Sequence, residues 1–308
     1  MNPENDLIIS PRLAKNFRRN LMERFIEFGL LCSGLVAIFI TLAIVYVLVS
    51  EAIPFFQYVS IKDFLTDTVW TPNYSIKHYG ILPLISGTLT TTGIALIVAV
   101  PLGTITAIYL SEFASHKVRE IIKPILELLV GVPTVVFGYF ALMLVTPMLQ
   151  KIYPDLTTFN MLGPGIVMGI MIVPYIASVA EDSMRAVPMS MREGAYAMGA
   201  TRFQTAIRVI TPAAISGIVA AYILAISRAV GETMIVAIAA GQQPNFTFNP
   251  VESAATITSY IVSVALGDLE HDGIGYQSIF AAGLTLLIMT LLINILGHAV
   301  RKKYAERY

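Results

Sequence analysis

Arg228 and Glu232 are the only charged residues in the 43-residue window from Val209 to Val251. Their spacing of four predicts one shared helix face. An arginine at mid-bilayer costs roughly 2.5–3.5 kcal/mol on insertion scales, so such a group turns to the interior of a bundle and often marks a pathway. Its guanidinium offers an oxyanion a planar, bidentate set of donors. A neighbouring glutamate would restrain that arginine and keep anion affinity modest, which suits a site the ion must leave. The plainer alternative is a structural ion pair that only orients helices.

A second constellation occupies residues 190–212. Ser190 followed by Glu193 predicts a capping box, with Ser at N-cap and Glu at N3. The helix runs through Ala195, Tyr196, Ala197 and Met198. Gly199, free to adopt the left-handed conformation, ends it. Thr201 with Gln204 predicts a second capping box, so two short helices meet at Gly199. The first is lined by Gly194, Ala195 and Ala197, small enough to lie in a groove on a partner. The alternative is a helix pair packed on its own bundle, with Glu193 merely capping. Glu181 and Asp182 read as a salt bridge to Arg185 at a membrane surface rather than as a catalytic dyad.

Other chemistries are missing. There is no G-x-x-x-x-G-K-[ST] loop for ATP and no H-E-x-x-H motif. The 4 histidines (His78, His116, His271 and His298) are scattered at span ends or loops, and the 1 cysteine, Cys32, cannot form an internal bridge. His271 beside Asp272 reads as a solvated outer loop. No catalytic residue and no metal ligand is therefore assigned. Energy must come from a partner or from an ion gradient.

The elements that carry these residues belong to a membrane. Of 308 residues, 56% are hydrophobic and 13% are charged, and mean hydropathy is +0.73. Soluble chains carry about 25% charged residues. Net charge is zero, which argues against nucleic acid as a partner. Crossing the hydrocarbon takes about 20 apolar residues. Five uncharged windows qualify: Phe28–Ser50, His78–Ser111, Leu128–Gln150, Leu156–Ala180 and Gly273–Val300. The window from Val209 to Val251 supplies a sixth span plus a re-entrant or interfacial segment. The first window exceeds the roughly 7–15 residues of a signal-peptide core and is expected to remain as a span. Sixteen of the 20 Lys and Arg residues fall on one side of these spans, in the N-terminal tail, two connections and the C-terminal tail. Lys62, Lys77 and Lys151 fall on the other side, and Arg228 lies within a span. That asymmetry predicts cytoplasmic termini, and two such termini require an even number of spans. Trp70 and the tyrosines of the outer loop, Glu51 to Tyr79, are expected at the membrane interface. The stretch from Glu252 to Leu266 reads as an interfacial helix. Gly165 and Gly169 allow two helix backbones to approach closely.

The segment around Glu193-Gly194-Ala195, with Gly199 and then Val209-Ile210-Thr211-Pro212, resembles the E-A-A-x3-G-x9-I-x-L-P loop of ABC-importer permeases. Gly194, Val209 and Thr211 depart from that pattern. Gly194 weakens helix propensity by about 1 kcal/mol relative to alanine. Further stretches are similar to the phosphate-specific branch. They are Tyr79–Thr90, Val100–Gly103, Tyr109–Glu112, Leu126–Gly138 and Ser227-Arg-Ala-Val-Gly-Glu-Thr-Met234. Met234, where the sister permease carries Ala-Pro, points to the PstC type. The resemblance covers about residues 79–300.

The resemblance implies an all-α integral membrane protein of six transmembrane helices. A type I, MetI-like importer core of about five helices is joined by one N-terminal helix. Residues 1–24 would be a cytoplasmic tail, 25–78 the extra helix and outer loop, 79–300 the transporter domain with a coupling loop at 188–211, and 301–308 a second cytoplasmic tail. The chain would be a non-catalytic permease subunit in the bacterial inner membrane, among membrane lipids. Arg228 and Glu232 would line the substrate pathway, and Glu193, Gly194, Ala195 and Gly199 would couple to the ATPase. The implied partners are a PstA-type sister permease, two PstB-type ATPase subunits and a PstS-type phosphate-binding protein. The chain itself would hold no cofactor, because the partner ATPase binds ATP. Alternatives are a permease for sulfate or molybdate and an ion-coupled secondary transporter. A membrane-embedded enzyme lacks a residue set.

Overall fold

In lipid, every backbone N–H and C=O must be satisfied within its own segment, so long apolar runs fold as helices. The structure, a computed structural model, describes residues 6–72, 74–268 and 273–303. His271, Asp272 and Arg307 lie outside them, and for Arg12, Lys15, Arg18 and Arg19 the backbone alone is described. The helices in chain order are α1 (Asp6–Tyr58), α2 (Ile61–Thr66), α3 (Leu82–Phe113), α4 (His116–Val130), α5 (Thr134–Ile152) and α6 (Leu162–Arg185). There follow α7 (Met189–Ala197), α8 (Arg202–Ala213), α9 (Ile215–Val230), α10 (Met234–Ala239), α11 (Ile257–Gly267) and α12 (Ile274–Lys303). Among the described residues, β-structure is confined to isolated bridges. Five segments are long and apolar enough to span a membrane: Met22–Tyr58 of α1, and α3, α5, α6 and α12. The pair α8–α9, bent by 72°, makes a sixth when counted as one broken span.

Residues 1–51 and 52–308 form two compact units. The first is the greater part of α1. In the second, α3 and α6 pack along their length because glycines remove side chains from the seam. A Cβ on Gly169 would stand 2.7 Å from Val98 Cβ and 2.8 Å from the Ala95 carbonyl, and one on Gly165 would stand 2.8 Å from Ile94 Cβ. Gly103 meets Ile176 in the same way. The Gly165–Gly169 spacing is therefore bundle packing.

Two expectations about irregular segments fail. Trp70 does not lie on the protein surface; it is 1% exposed. Residues 59–81 fold back on themselves, with Trp70 bridged to Tyr79 and the Thr71 N–H donating to the His78 carbonyl. The indole then packs edge-on against Tyr260, 4.9 Å between centroids, in an aromatic cluster with Phe55 and Phe64. Likewise the stretch 252–266 is not an interfacial helix throughout. Helix begins at Ile257 behind a Thr256–Ser259 capping box, and its first turn is buried. The Ile257 N–H donates to Thr88 Oγ1 of α3, and Gly87 leaves room for the Ala255 carbonyl. Those polar contacts hold the uncharged stretch against the bundle instead of leaving it at the surface.

Candidate functional site

The Arg228–Glu232 pair sits at a helix break. Helix α9 ends at Val230, with Gly231 as its C-cap, and α10 begins at Met234. The two residues therefore do not share one helix face. Glu232 is 4% exposed. Its Oε1 accepts from the backbone N–H of Met234 at 3.2 Å and of Ile235 at 3.4 Å. Those are first-turn donors of α10, which have no partner inside the helix. Its Oε2 is 3.8 Å from Arg228 Nη2. Its carbonyl accepts from Thr258 Oγ1 at 2.7 Å, so α11 is tied to the same junction. Sequence reasoning found the charges but missed the break, although glycine after a charged turn is its signal.

Arg228 lies over Tyr175 of α6, 5.8 Å from the ring centroid, in range of a cation–π contact. Its Nε is buried and has no hydrogen-bond partner. Next to it, Ser227 Oγ donates to Asn294 Oδ1 of α12. Gly138 of α5 lets α10 come close: a Cβ there would be 3.1 Å from Ile235 Cα. A guanidinium held between a carboxylate and an aromatic face, with its side chain 39% exposed, is equipped to meet an anion.

At the end of the bundle where the basic connections lie, α7 and α8 meet at Gly199, as expected. Gly199 has φ +83°. Its N–H donates to the Tyr196 carbonyl, and the Ala200 N–H donates to the Ala195 carbonyl, the hydrogen-bond pattern of a Schellman end. The capping box of Thr201 and Gln204 forms at the start of α8. The one expected at Ser190 and Glu193 does not. Pro188 takes the N-cap of α7 without a side-chain hydrogen bond, which moves Ser190 and Glu193 inside the helix. Glu193 and Gly194 are exposed, Ala195 is half-buried, and Met198 beyond the helix is 88% exposed.

The same end contains two ion-pair clusters that local sequence patterns did not reveal. Glu181 of α6 is fully buried. Arg119 Nε lies 2.8 Å and Lys123 Nζ 3.0 Å from its oxygens, both from α4. Arg185, the expected partner, is 3.9 Å away. Lys123 also reaches Asp182 at 2.6 Å. Burial works against its charge, but hydrogen bonds to Asp182 and Glu181 hold the Lys123 ammonium above the ordinary lysine value. A pocket of about 200 Å³, lined in part by Lys123, Glu127, Tyr175 and Glu181, opens between α4 and α6. The second cluster joins Arg192 of α7 to Glu112 at the end of α3, 2.9 Å apart. Glu112 closes the Tyr109–Glu112 stretch, but no local pattern named its partner 80 residues away. Among the described residues, no group of three acidic, histidine or cysteine side chains is placed to hold a metal ion.

Residues 99–307 match the model of the family described as binding-protein-dependent transport system inner membrane component. The chain is 33% identical to phosphate transport system permease protein PstC 1 of Mycobacterium tuberculosis, over 79% of this chain and 82% of that one. It is 35% identical to the probable ABC transporter permease protein YqgH of Bacillus subtilis, over 77% of each. Among solved structures it resembles a chain of a bacterial ABC transporter involved in the import of alginate. The TM-score is 0.65 at 19% identity, over 96% of this chain and 100% of that one. It also resembles a chain of the MetNI methionine ABC transporter, with a TM-score of 0.55 at 17% identity, over 74% of this chain and 95% of that one. At such identities these two likenesses show the fold alone.

Proposed function

This chain belongs to the family of binding-protein-dependent inner-membrane transport components, as a permease of the PstC type, and from that membership we propose that it forms half of the pathway of an ATP-driven importer of inorganic phosphate. The observation that carries the reading is Arg228. Its guanidinium stands at a break between α9 and α10, over Tyr175, with its side chain 39% exposed. Phosphate presents oxygens that a guanidinium meets two at a time. Glu232, 3.8 Å from the arginine, partly neutralises it, so that the anion is recognised but not trapped.

The basic end of the bundle faces the cytoplasm in this reading, in keeping with the distribution of Lys and Arg. Both termini then lie inside. The exposed face of α7, with Glu193 and Gly194, and the turn at Gly199 offer a docking surface to an ATPase subunit. The half-buried Ala195 faces the bundle side of the same helix. A PstA-type sister permease completes the pathway, two PstB-type ATPases supply the energy, and a PstS-type binding protein delivers phosphate. This chain binds no cofactor and hydrolyses nothing. ATP binding draws the ATPases together, moves α7, and switches the spans between outward and inward openings.

The test is uptake of radiolabelled phosphate at micromolar concentration by cells carrying Arg228→Lys, with permease abundance measured. Lysine retains the charge but not the planar fork. Uptake should fall about tenfold or more, equivalent to about 1.4 kcal/mol or more of lost anion interaction. Full uptake by an equally abundant variant would contradict the bidentate contact. Inhibition of wild-type uptake by excess sulfate or molybdate would favour the wider oxyanion reading.

A further inference from the structure

We infer that Arg192 is the positioning residue through which motion of α7 reaches the membrane spans. This rests on the reading of α7 as the ATPase-docking helix. The guanidinium joins three segments at once. It donates to Glu112 Oε1 at 2.9 Å and Oε2 at 3.4 Å, at the end of α3. It donates to the Met184 carbonyl at 2.8 Å, in the last turn of α6, and to the Val187 carbonyl at 2.6 Å, just beyond it. The last carbonyls of a helix have no partner within it and carry the negative end of its dipole, so a cation there is doubly favoured. The side chains of Arg192 and Glu112 are 12% and 6% exposed, so water screens the pair little. Glu112 is itself oriented by a hydrogen bond from Ser111.

Besides Arg192, Met191 packs α7 against the cluster of Met184, Val187 and Ile210. The N-cap of α7, Pro188, makes no side-chain hydrogen bond, and none of the helix's residues is fully buried. Arg192 is bound on the bundle side, whereas the adjacent Glu193 and Gly194 are exposed. Arg192 is the polar link by which a partner gripping the exposed side pulls on α3 and α6. Helix α6 also carries Tyr175, beneath Arg228. A continuous set of contacts thus runs from α7 through Arg192 and α6 to the charged junction. Pro188 and the chain on either side of α7 link it covalently to the bundle as well.

The experiment uses the whole importer, with sister permease, ATPases and binding protein, reconstituted in vesicles. Arg192→Ala, Arg192→Lys and Glu112→Gln are compared with wild type for ATPase content and for ATP hydrolysed per phosphate moved. A positioning role predicts normal ATPase content and a ratio raised about fivefold or more in Arg192→Ala, the lower end of ordinary coupling factors. Arg192→Lys retains the charge beside Glu112 but not the fork to the two carbonyls, so its ratio should lie between the two. It carries the test if Arg192→Ala does not assemble. A merely structural residue would lower hydrolysis and uptake together. An unchanged ratio in every assembled variant would overturn the inference. If the wild-type importer moves no phosphate, the functional reading fails separately. Stimulation of hydrolysis by the binding protein then becomes the readout. Its loss in the variants supports the role of Arg192, and equal stimulation overturns it.

Discussion

At Glu232 one carboxylate serves two partners that pull in different directions. One oxygen meets two backbone N–H groups at the start of α10, and the other faces Arg228. The roles can be separated by substitution. Glu232→Gln keeps an acceptor for the N–H groups and removes the charge. Glu232→Ala leaves buried donors unmet, at about 1–3 kcal/mol. Thermal unfolding of the purified permease should therefore show Glu232→Ala melting below Glu232→Gln, with Gln close to wild type. Equal melting of the two variants would contradict the capping role. The two charges were legible in the sequence because nothing charged surrounds them for 43 residues. Tyr175 and Thr258 were not, because each reaches the junction from a distant part of the chain and carries no local pattern. The Arg185 partner expected for Glu181 is present at 3.9 Å, but its closer partners were missed for the same reason. Its nearest sequence cation, Arg185, lies farther away than Arg119 and Lys123 of α4.

At the scale of helices, what the sequence disclosed was what is local. Gly199 and the Thr201–Gln204 box depend on a few consecutive residues, and both form. The Ser190 box was displaced because Pro188 already supplies the extended residue that opens α7. Trp70 and the stretch 252–266 were misplaced because aromatic and uncharged residues suit an interface and a buried cluster equally well. Only the fold-back of residues 59–81 and the hydrogen bond from Ile257 to Thr88 decide between them. Two glycines give an opposed pair of outcomes. A methyl on Gly169 would stand 2.7 Å from Val98 Cβ, whereas one on Gly194 would meet nothing within 4 Å. Gly169→Ala should destabilise by about 1–3 kcal/mol through overpacking of the α3–α6 seam. Gly194→Ala should be neutral or stabilising by up to about 1 kcal/mol through helix propensity. Melting temperatures in detergent check both, and a reversed order would contradict the packing described for α3 and α6.

At the scale of the molecule, long apolar windows made six spans legible, because the bilayer leaves a chain few ways to satisfy its backbone. The bend of 72° between α8 and α9 was not visible in the sequence. The assembly is where three features meet: a charged junction at Arg228, an exposed α7 at the basic end of the bundle, and the Arg192–Glu112 ion pair that binds α7 to the spans. The central claim is that this chain moves phosphate and is driven through α7. The most direct measurement is radiolabelled phosphate uptake at micromolar concentration by cells with the intact gene, a deletion, or Glu193→Lys. The account predicts loss of uptake in the deletion and in Glu193→Lys, with the variant present in the membrane but lacking bound ATPase, and no competition by sulfate or molybdate. Normal uptake in the deletion strain, with no second phosphate system present, would contradict it.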